Sequence, residues 1–172
     1  MANRILDVVP AEPLPETSTD TKMPFPTPEK SCNVEAMRPR VLVAVVDDEE
    51  SVCRALLRLL RATGLDVETF SSSVDFLESI RERLPSRRPD CLVLDLHLPG
   101  LTGIDVLRQL KAERIPLPII MITGNEEAGV QEQVLSEGAQ AFLVKPINAR
   151  NLLDAIEHAV RGAPPARPLQ AT

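Results

Sequence analysis

Tyrosine and tryptophan are absent from this 172-residue chain, and its only aromatics are four phenylalanines. Any core must therefore be aliphatic. No stretch approaches the roughly 18 consecutive apolar residues of a membrane span. The N-terminus lacks the apolar region of a signal peptide, because Ile5-Leu6 and Val8-Val9 are short and Asp7 separates them. These absences point to a chain that stays in the cytoplasm, away from the membrane. The three cysteines, Cys32, Cys53 and Cys91, are far apart, with no C-x-x-C pair and no Cys/His cluster. They read as reduced thiols, Cys91 packed in a strand and Cys53 on a helix flank. An excess of basic charge is missing too. The net charge is -6 and the pI about 5.0, which argues against a broad nucleic-acid footprint.

What is present is uneven. Residues 1–39 carry Pro10, Pro13, Pro15, Pro24, Pro26, Pro28 and Pro39 among Ser, Thr and acids. Proline breaks each possible helix there, and too little apolar surface remains to offset the entropy of ordering. The segment reads as a disordered tail. Met23-Pro24-Phe25-Pro26 is its least polar piece, and a docking motif there is a weaker reading than a solvated tail. At the other end Gly162-Ala163-Pro164-Pro165 stops the last helix, leaving 163–172 as a second disordered tail. The folded part is expected over 40–162.

Within it the pattern alternates. Apolar runs at Val41–Val46, Leu65–Phe70, Cys91–Asp95, Leu117–Thr123 and Ala141–Val144 read as strands. Helical spacing follows each one: Val52, Ala55, Leu56, Leu59 and Leu60; Phe76, Leu77 and Ile80; Ile104, Leu107 and Leu110; Val130, Val134 and Leu135; Leu152, Leu153, Ile156 and Val160. Gly64 and Gly138 are placed to end helices. Ser72 with Asp75, Thr102 with Asp105, and Asn148 are placed to start them. Pro85 and Pro89 mark a loop. Strand ends roughly 25 residues apart match a βα repeat, whose helical crossovers force parallel, right-handed connections. A parallel sheet must be covered on both faces. The expected class is α/β: a five-stranded parallel doubly wound sheet, flavodoxin-like, in the order 2-1-3-4-5, with helices on both faces.

Four of the runs end on a chemically special residue: Asp47-Asp48, Asp95, Thr123 and Lys145-Pro146. Open α/β sheets bind ligands at the carboxyl ends of their strands. Carboxylates gathered at adjacent strand ends repel one another, by about 4 kcal/mol for two unit charges at 4 Å and an effective dielectric of 20. A hard divalent cation relieves that repulsion, and magnesium is held by one or two carboxylates together with waters and phosphate oxygens. Asp47, Asp48 and Glu49 could simply start a helix, where acids suit the dipole. That does not explain Asp95 between Leu94 and Leu96. A carboxylate beside a cation can attack phosphorus, while a hydroxyl at Thr123 and an amine at Lys145 can hold phosphoryl oxygens. Pro146 makes the Lys145–Pro146 bond a cis candidate.

From about Val41 to Val160 the chain resembles the receiver domain of two-component response regulators. The matching pieces are Val-Val-Asp47-Asp48-Glu, Leu-Val-Leu-Asp95-Leu-His-Leu-Pro99-Gly-Leu-Thr-Gly103, Ile-Met-Ile-Thr123-Gly124 and Gly138-Ala139-Gln-Ala-Phe142-Leu-Val-Lys145-Pro146. The wording is most similar to receivers of nitrogen-fixation-type transcription factors. Chemotaxis receivers of this family have the 2-1-3-4-5 order, so strand order and resemblance form one inference. The resemblance implies that Asp95 accepts a phosphoryl group from a histidine kinase or phosphotransfer protein. It implies Mg2+ on Asp48, Asp95 and the backbone carbonyl of His97, with Asp47 acting through a bound water. Thr123 and Lys145 would grip the phosphoryl oxygens. Thr123 would move inward on phosphorylation and Phe142 swing in behind it, switching the surface of helix four, strand five and helix five. The chain would be a signalling switch rather than an enzyme in the turnover sense, a monomer or a phosphorylation-dependent dimer.

Two departures from the family pattern stand out. Gln131 and Glu132 thin the apolar stripe of helix four, which is expected to be mobile and to alter the usual dimer face. His97 stands two residues after Asp95, where an imidazole can steer or exclude an attacking water; an exposed loop histidine is an equal reading. His158 beside Glu157 reads as a surface residue. Nothing in the sequence after the domain suits a DNA-binding output, so the first expectation is a stand-alone phosphoacceptor that controls an unknown output protein without touching nucleic acid. The alternatives are a receiver fragment of a longer DNA-binding regulator, or a phosphate sink. A small hydrolase using Asp95 ranks last, because no second acid–base residue is evident.

Overall fold

The computed structural model describes residues 40–125 and 128–162. The two expected tails, 1–39 and 163–172, and the Met23–Pro26 piece lie outside the described residues.

Strands β1 (Leu42–Val46), β2 (Asp66–Phe70), β3 (Cys91–Asp95), β4 (Ile119–Thr123) and β5 (Ala141–Val144) form one parallel sheet in the order β2-β1-β3-β4-β5. Helices α1 (Glu50–Ala62), α2 (Ser73–Glu82), α3 (Gly103–Ala112), α4 (Val130–Glu137) and α5 (Ala149–Val160) alternate with them. This is the doubly wound class and the strand order that the sequence predicts.

The strands differ in burial as their patterns require. β3 and β4, central and apolar up to their last residues Asp95 and Thr123, are buried along their whole length, whereas β2 alternates at the sheet edge. Side chains of successive strand residues face opposite ways. Ala44, Val46, Leu92, Leu94 and Met121 pack under α2, α3 and α4, with Phe76, Leu77, Ile80, Leu107 and Leu110. Val43, Val45, Cys91, Val93, Ile120 and Ile122 pack under α1 and α5, with Leu56, Leu60, Leu152 and Ile156. Among the described core residues Phe76 is the one fully buried aromatic, and it meets Phe70 edge-on at 5.4 Å between ring centroids.

Local signals account for the ends. Thr102 and Asp105 form a reciprocal capping box on α3, Asn148 caps α5, and Ser72 accepts the Val74 and Asp75 amides at the start of α2. Gly64 and Gly138 take the left-handed backbone (φ 87° and 114°) that stops α1 and α4. β4 starts at Ile119, not Leu117, because Pro118 has no N–H to give; its carbonyl still accepts the Leu92 amide at 2.9 Å. A short 3-10 turn at Pro85–Arg87 replaces part of the expected loop. Among the described residues no helix is long and apolar enough to cross a membrane.

Candidate functional site

Asp47, Asp95 and Thr123 are three of the four buried polar or charged side chains among the described residues, and all three stand at carboxyl ends of neighbouring strands. The parallel register sets them side by side. β1 and β3 pair up to Val46 and Leu94, Asp95 pairs with Ile122, and Thr123 with Val144. The ladder continues past the strands through Asp47 N–H to Phe70 O, Leu96 N–H to Ile122 O and Lys145 N–H to Thr123 O. Main-chain bonding thus fixes the base of each side chain.

The three strand ends share one local device. The Glu49 amide donates to Asp47 Oδ1 (2.9 Å), the His97 amide to Asp95 Oδ2 (3.0 Å), and the Asn125 amide to Thr123 Oγ1 (3.2 Å). Each side chain accepts from the backbone two residues on, the turn chemistry open to short oxygen-bearing side chains. This leaves the other oxygen of each carboxylate facing inward. Lys145 meets both, its Nζ 2.8 Å from Asp47 Oδ2 and 3.1 Å from Asp95 Oδ1. The same ammonium reaches Glu49 Oε1 at 3.2 Å. The Lys145–Pro146 peptide is cis.

Burial pushes the Asp47 carboxyl above the usual aspartate range, against the pull of Lys145 and the Glu49 amide and with the added push of Asp95. Burial also works to discharge Lys145, but its contacts with Asp47 and Asp95 outweigh that and hold it more basic than a free lysine. The two directions are compatible. Asp47 is wholly enclosed and shares its cation, whereas Lys145 faces two carboxylates and retains some solvent contact. Cys53, on α1, lies against the same corner, with its Sγ 3.3 Å from the Asp47 carbonyl oxygen.

The oxygen-only donor set suits a hard cation such as magnesium. Among the described residues no three His, Cys, Asp or Glu side chains converge as a ready-made cage. Magnesium does not need one, since one or two carboxylates with water and phosphate complete its shell. The observation that favours a fit is the pair of buried oxygens Asp47 Oδ2 and Asp95 Oδ1. Both are enclosed, and each is met by the shared Lys145 ammonium rather than by a donor of its own.

Of the residues the sequence singled out, the structure brings Asp47, Asp95, Thr123, Lys145 and His97 together. Asp48 is exposed at the rim and forms no ion pair with Lys145. Phe142 is half-buried on β5, packed against the α2–α4 layer. His158 is exposed on α5, its Nδ1 2.6 Å from the Asp154 carbonyl oxygen. Two contacts were not anticipated. Glu49, read only as a helix-starting acid, pairs with Lys145. The His97 ring touches Thr123, with Nδ1 3.2 Å from Oγ1. The acidic run at 47–49 was a signal for the first; no spacing in the sequence signals the second.

The family model described as "Response regulator receiver domain" matches residues 43–157. Nodulation protein W of Bradyrhizobium diazoefficiens is 41% identical over 120 residues, 68% of this chain and 50% of that protein. The transcriptional regulatory protein FixJ of the same organism is 34% identical over 129 residues, 75% of this chain and 61% of that protein. The response regulator protein TodT of Pseudomonas putida is 36% identical over 126 residues, 73% of this chain and 54% of its own length. The chain thus spans about half the length of the curated relatives it matches. Among solved structures, a response regulator receiver protein from Burkholderia phymatum superimposes with a TM-score of 0.62 at 42% identity, covering 76% of this chain and all of that one. The response regulator StyR gives a TM-score of 0.64 at 40% identity, covering 72% of this chain and 60% of that one.

Proposed function

The chain belongs to the response regulator receiver domain family, and on that premise we propose that residues 40–162 act in the cytoplasm as a phosphoacceptor switch whose acceptor is Asp95. The observation that carries this reading is the position of Asp95. It is buried at the end of β3, one oxygen held by the His97 amide and the other facing Lys145. In this reading Oδ1 attacks the phosphorus of a phosphohistidine on a histidine kinase or phosphotransfer protein. A P–O bond forms, the P–N bond breaks, and the imidazole leaves.

Lys145 already spans Asp47 and Asp95, so a modest reach brings its ammonium to a phosphoryl oxygen on Asp95. The Thr123 hydroxyl supplies a second donor from the neighbouring strand. Bound magnesium, held by Asp48, Asp95 and the His97 carbonyl with Asp47 behind a water, would supply positive charge for the incoming phosphoryl group. A groove of about 280 Å3 flanks the site, formed by Ser51, Val52, Ala55, Leu56 and Leu59 of α1 beside Lys145, Pro146 and Ile147. Inward movement of Thr123 would draw Phe142 after it and change the α4–β5–α5 surface that an output protein reads.

One observation favours a second reading. The matched relatives are about twice the length of the match, and one is named a transcriptional regulator, so the switched surface can act on a transcription-regulating segment. The test common to both readings is phosphorylation by a small phosphodonor with Mg2+. The protein gains one base-labile phosphoryl group and Asp95→Asn gains none; labelling that persists in Asp95→Asn rejects the assignment.

A further inference from the structure

His97 touches both halves of the proposed switch. Its main-chain N–H donates to Asp95 Oδ2 at 3.0 Å, and its ring Nδ1 lies 3.2 Å from Thr123 Oγ1. The Thr123 hydroxyl is otherwise occupied inside its own loop. It donates to the Asn125 carbonyl at 2.9 Å and accepts from the Asn125 amide at 3.2 Å. A hydroxyl has one hydrogen to give and two lone pairs. With the hydrogen committed to Asn125 and one lone pair taken by its amide, the remaining lone pair faces His97. The nitrogen that meets it must therefore carry a hydrogen.

We propose that His97 is a positioning residue: its Nδ1–H latches Thr123 in the resting rotamer, and releasing this latch is part of the cost of switching. The inference rests on the reading of Asp95 as phosphoacceptor and Thr123 as the group that follows the phosphoryl. To donate to an oxygen on Asp95, Thr123 must withdraw its hydrogen from Asn125 and reorient Oγ1. That rotation breaks the contact with His97. The His97 amide sits on the carboxylate that is modified, so the residue holding Thr123 back is itself anchored to the acceptor. The coupling needs no long pathway: one residue has its backbone on one group and its ring on the other.

The neighbouring features support a local role. Thr123 is fully buried, so its hydroxyl is held among these protein partners, although the His97 ring that meets it is exposed. The ring is exposed apart from its contact with Thr123, and a side-chain substitution leaves the His97 amide and carbonyl in place.

The test is a beryllofluoride titration with Mg2+, followed by NMR of the Asn125 and Lys145 amides, on the wild type, His97→Ala, His97→Asn and Asp95→Asn. A single neutral hydrogen bond is worth about a two- to tenfold change in an equilibrium, so His97→Ala should switch at about two- to tenfold lower beryllofluoride. His97→Asn, whose amide nitrogen can stand near the place of Nδ1, should return toward the wild type. Imidazole nitrogen shifts in the resting wild type should show hydrogen on Nδ1. A wild-type midpoint in His97→Ala, a midpoint moved to higher concentration, or a bare Nδ1 overturns the latch alone. If the wild type responds no more than Asp95→Asn, the phosphoacceptor reading fails and the latch falls with it.

Discussion

Gly103 lies so close beneath Asp95 that a Cβ built on it would stand 2.5 Å from the Asp95 carbonyl oxygen. The same atom would come within 2.8 Å of Met121 Sδ and 3.0 Å of Leu96 Cα. The sulfur is the end of a flexible side chain and can move. The carbonyl and the Cα are main chain in the loop that carries the acceptor. Gly103→Ala should therefore cost about 1–3 kcal/mol, seen as a lower urea midpoint at unchanged slope. It should also disturb the amide shifts of Asp95 and Leu96; a variant as stable as the wild type would show that α3 can retreat from the site freely.

Lys145→Ala removes the cation between two buried carboxylates. Without magnesium the loss should be about 2 kcal/mol, below that of a fully enclosed pair because Lys145 keeps some solvent contact. Magnesium should restore much of it, since a ligand at ten times its dissociation constant adds about 1.4 kcal/mol to a folded state that alone binds it. Urea curves with and without Mg2+ check this. A Lys145→Ala urea midpoint that Mg2+ leaves unchanged would mean that the carboxylates do not receive the metal.

Burial pushes the Cys91 thiol up to about 12 from an ordinary value of 9.0. Below about pH 9 both folded and unfolded thiols are protonated and the residue gives stability no pH dependence. Above it the unfolded thiol ionises while the folded one keeps its proton, so stability falls as pH rises, by about 1.4 kcal/mol per unit. Cys91→Ala should lose about 1 kcal/mol less than the wild type between pH 8 and 10. The Cys53 thiol is raised as well, by burial first and then by Asp47, so a slope should persist in that variant. Parallel urea midpoints across this range for both proteins would contradict the prediction.

The capping box on α3 can be read through Asp105. Hydrogen bonds from the Thr102 side chain and amide hold its carboxyl below the usual aspartate range. A depressed carboxyl contributes stability that is present above the unfolded value and lost as pH falls through the folded one. Thr102→Ala should cost about 1 kcal/mol at neutral pH and less in acid, where the cap is already weakened. Thermal unfolding at pH 7 and pH 3 compares the two.

Much of this architecture was legible because periodicity and position carry it. Apolar runs at β1, β3 and β4 are short and unbroken because both faces are covered, and the special residues at their ends face one edge by topology alone. Thr102 and Asn148 announced their helices through side chains that bond locally. What stayed hidden depends on side-chain reach. Lys145 and Glu49 are 96 positions apart, and their contact follows from the length of two flexible side chains. The contact of His97 with Thr123 arises because residue 97, just past the end of β3, reaches the end of the neighbouring strand β4, and no repeat in the sequence encodes that reach. Pro118 trimmed β4 through a missing donor, a local rule that the longer apolar pattern obscured.

Helix α4 is held unevenly. Its C-terminal end is tied to α3, where Arg108 pairs with the Glu137 carboxylate and Lys111 donates to the Glu137 carbonyl. Its other end begins at Gly129 with φ 84° and no side-chain cap, and Val134 is its one buried residue. At the head the partly buried Val130 packs against the core, while a surface ion pair and one backbone contact tie the far end to α3. Should the helix shift on switching, the expected displacement is larger at its head than at Glu137, where the contacts with α3 would act as the fulcrum.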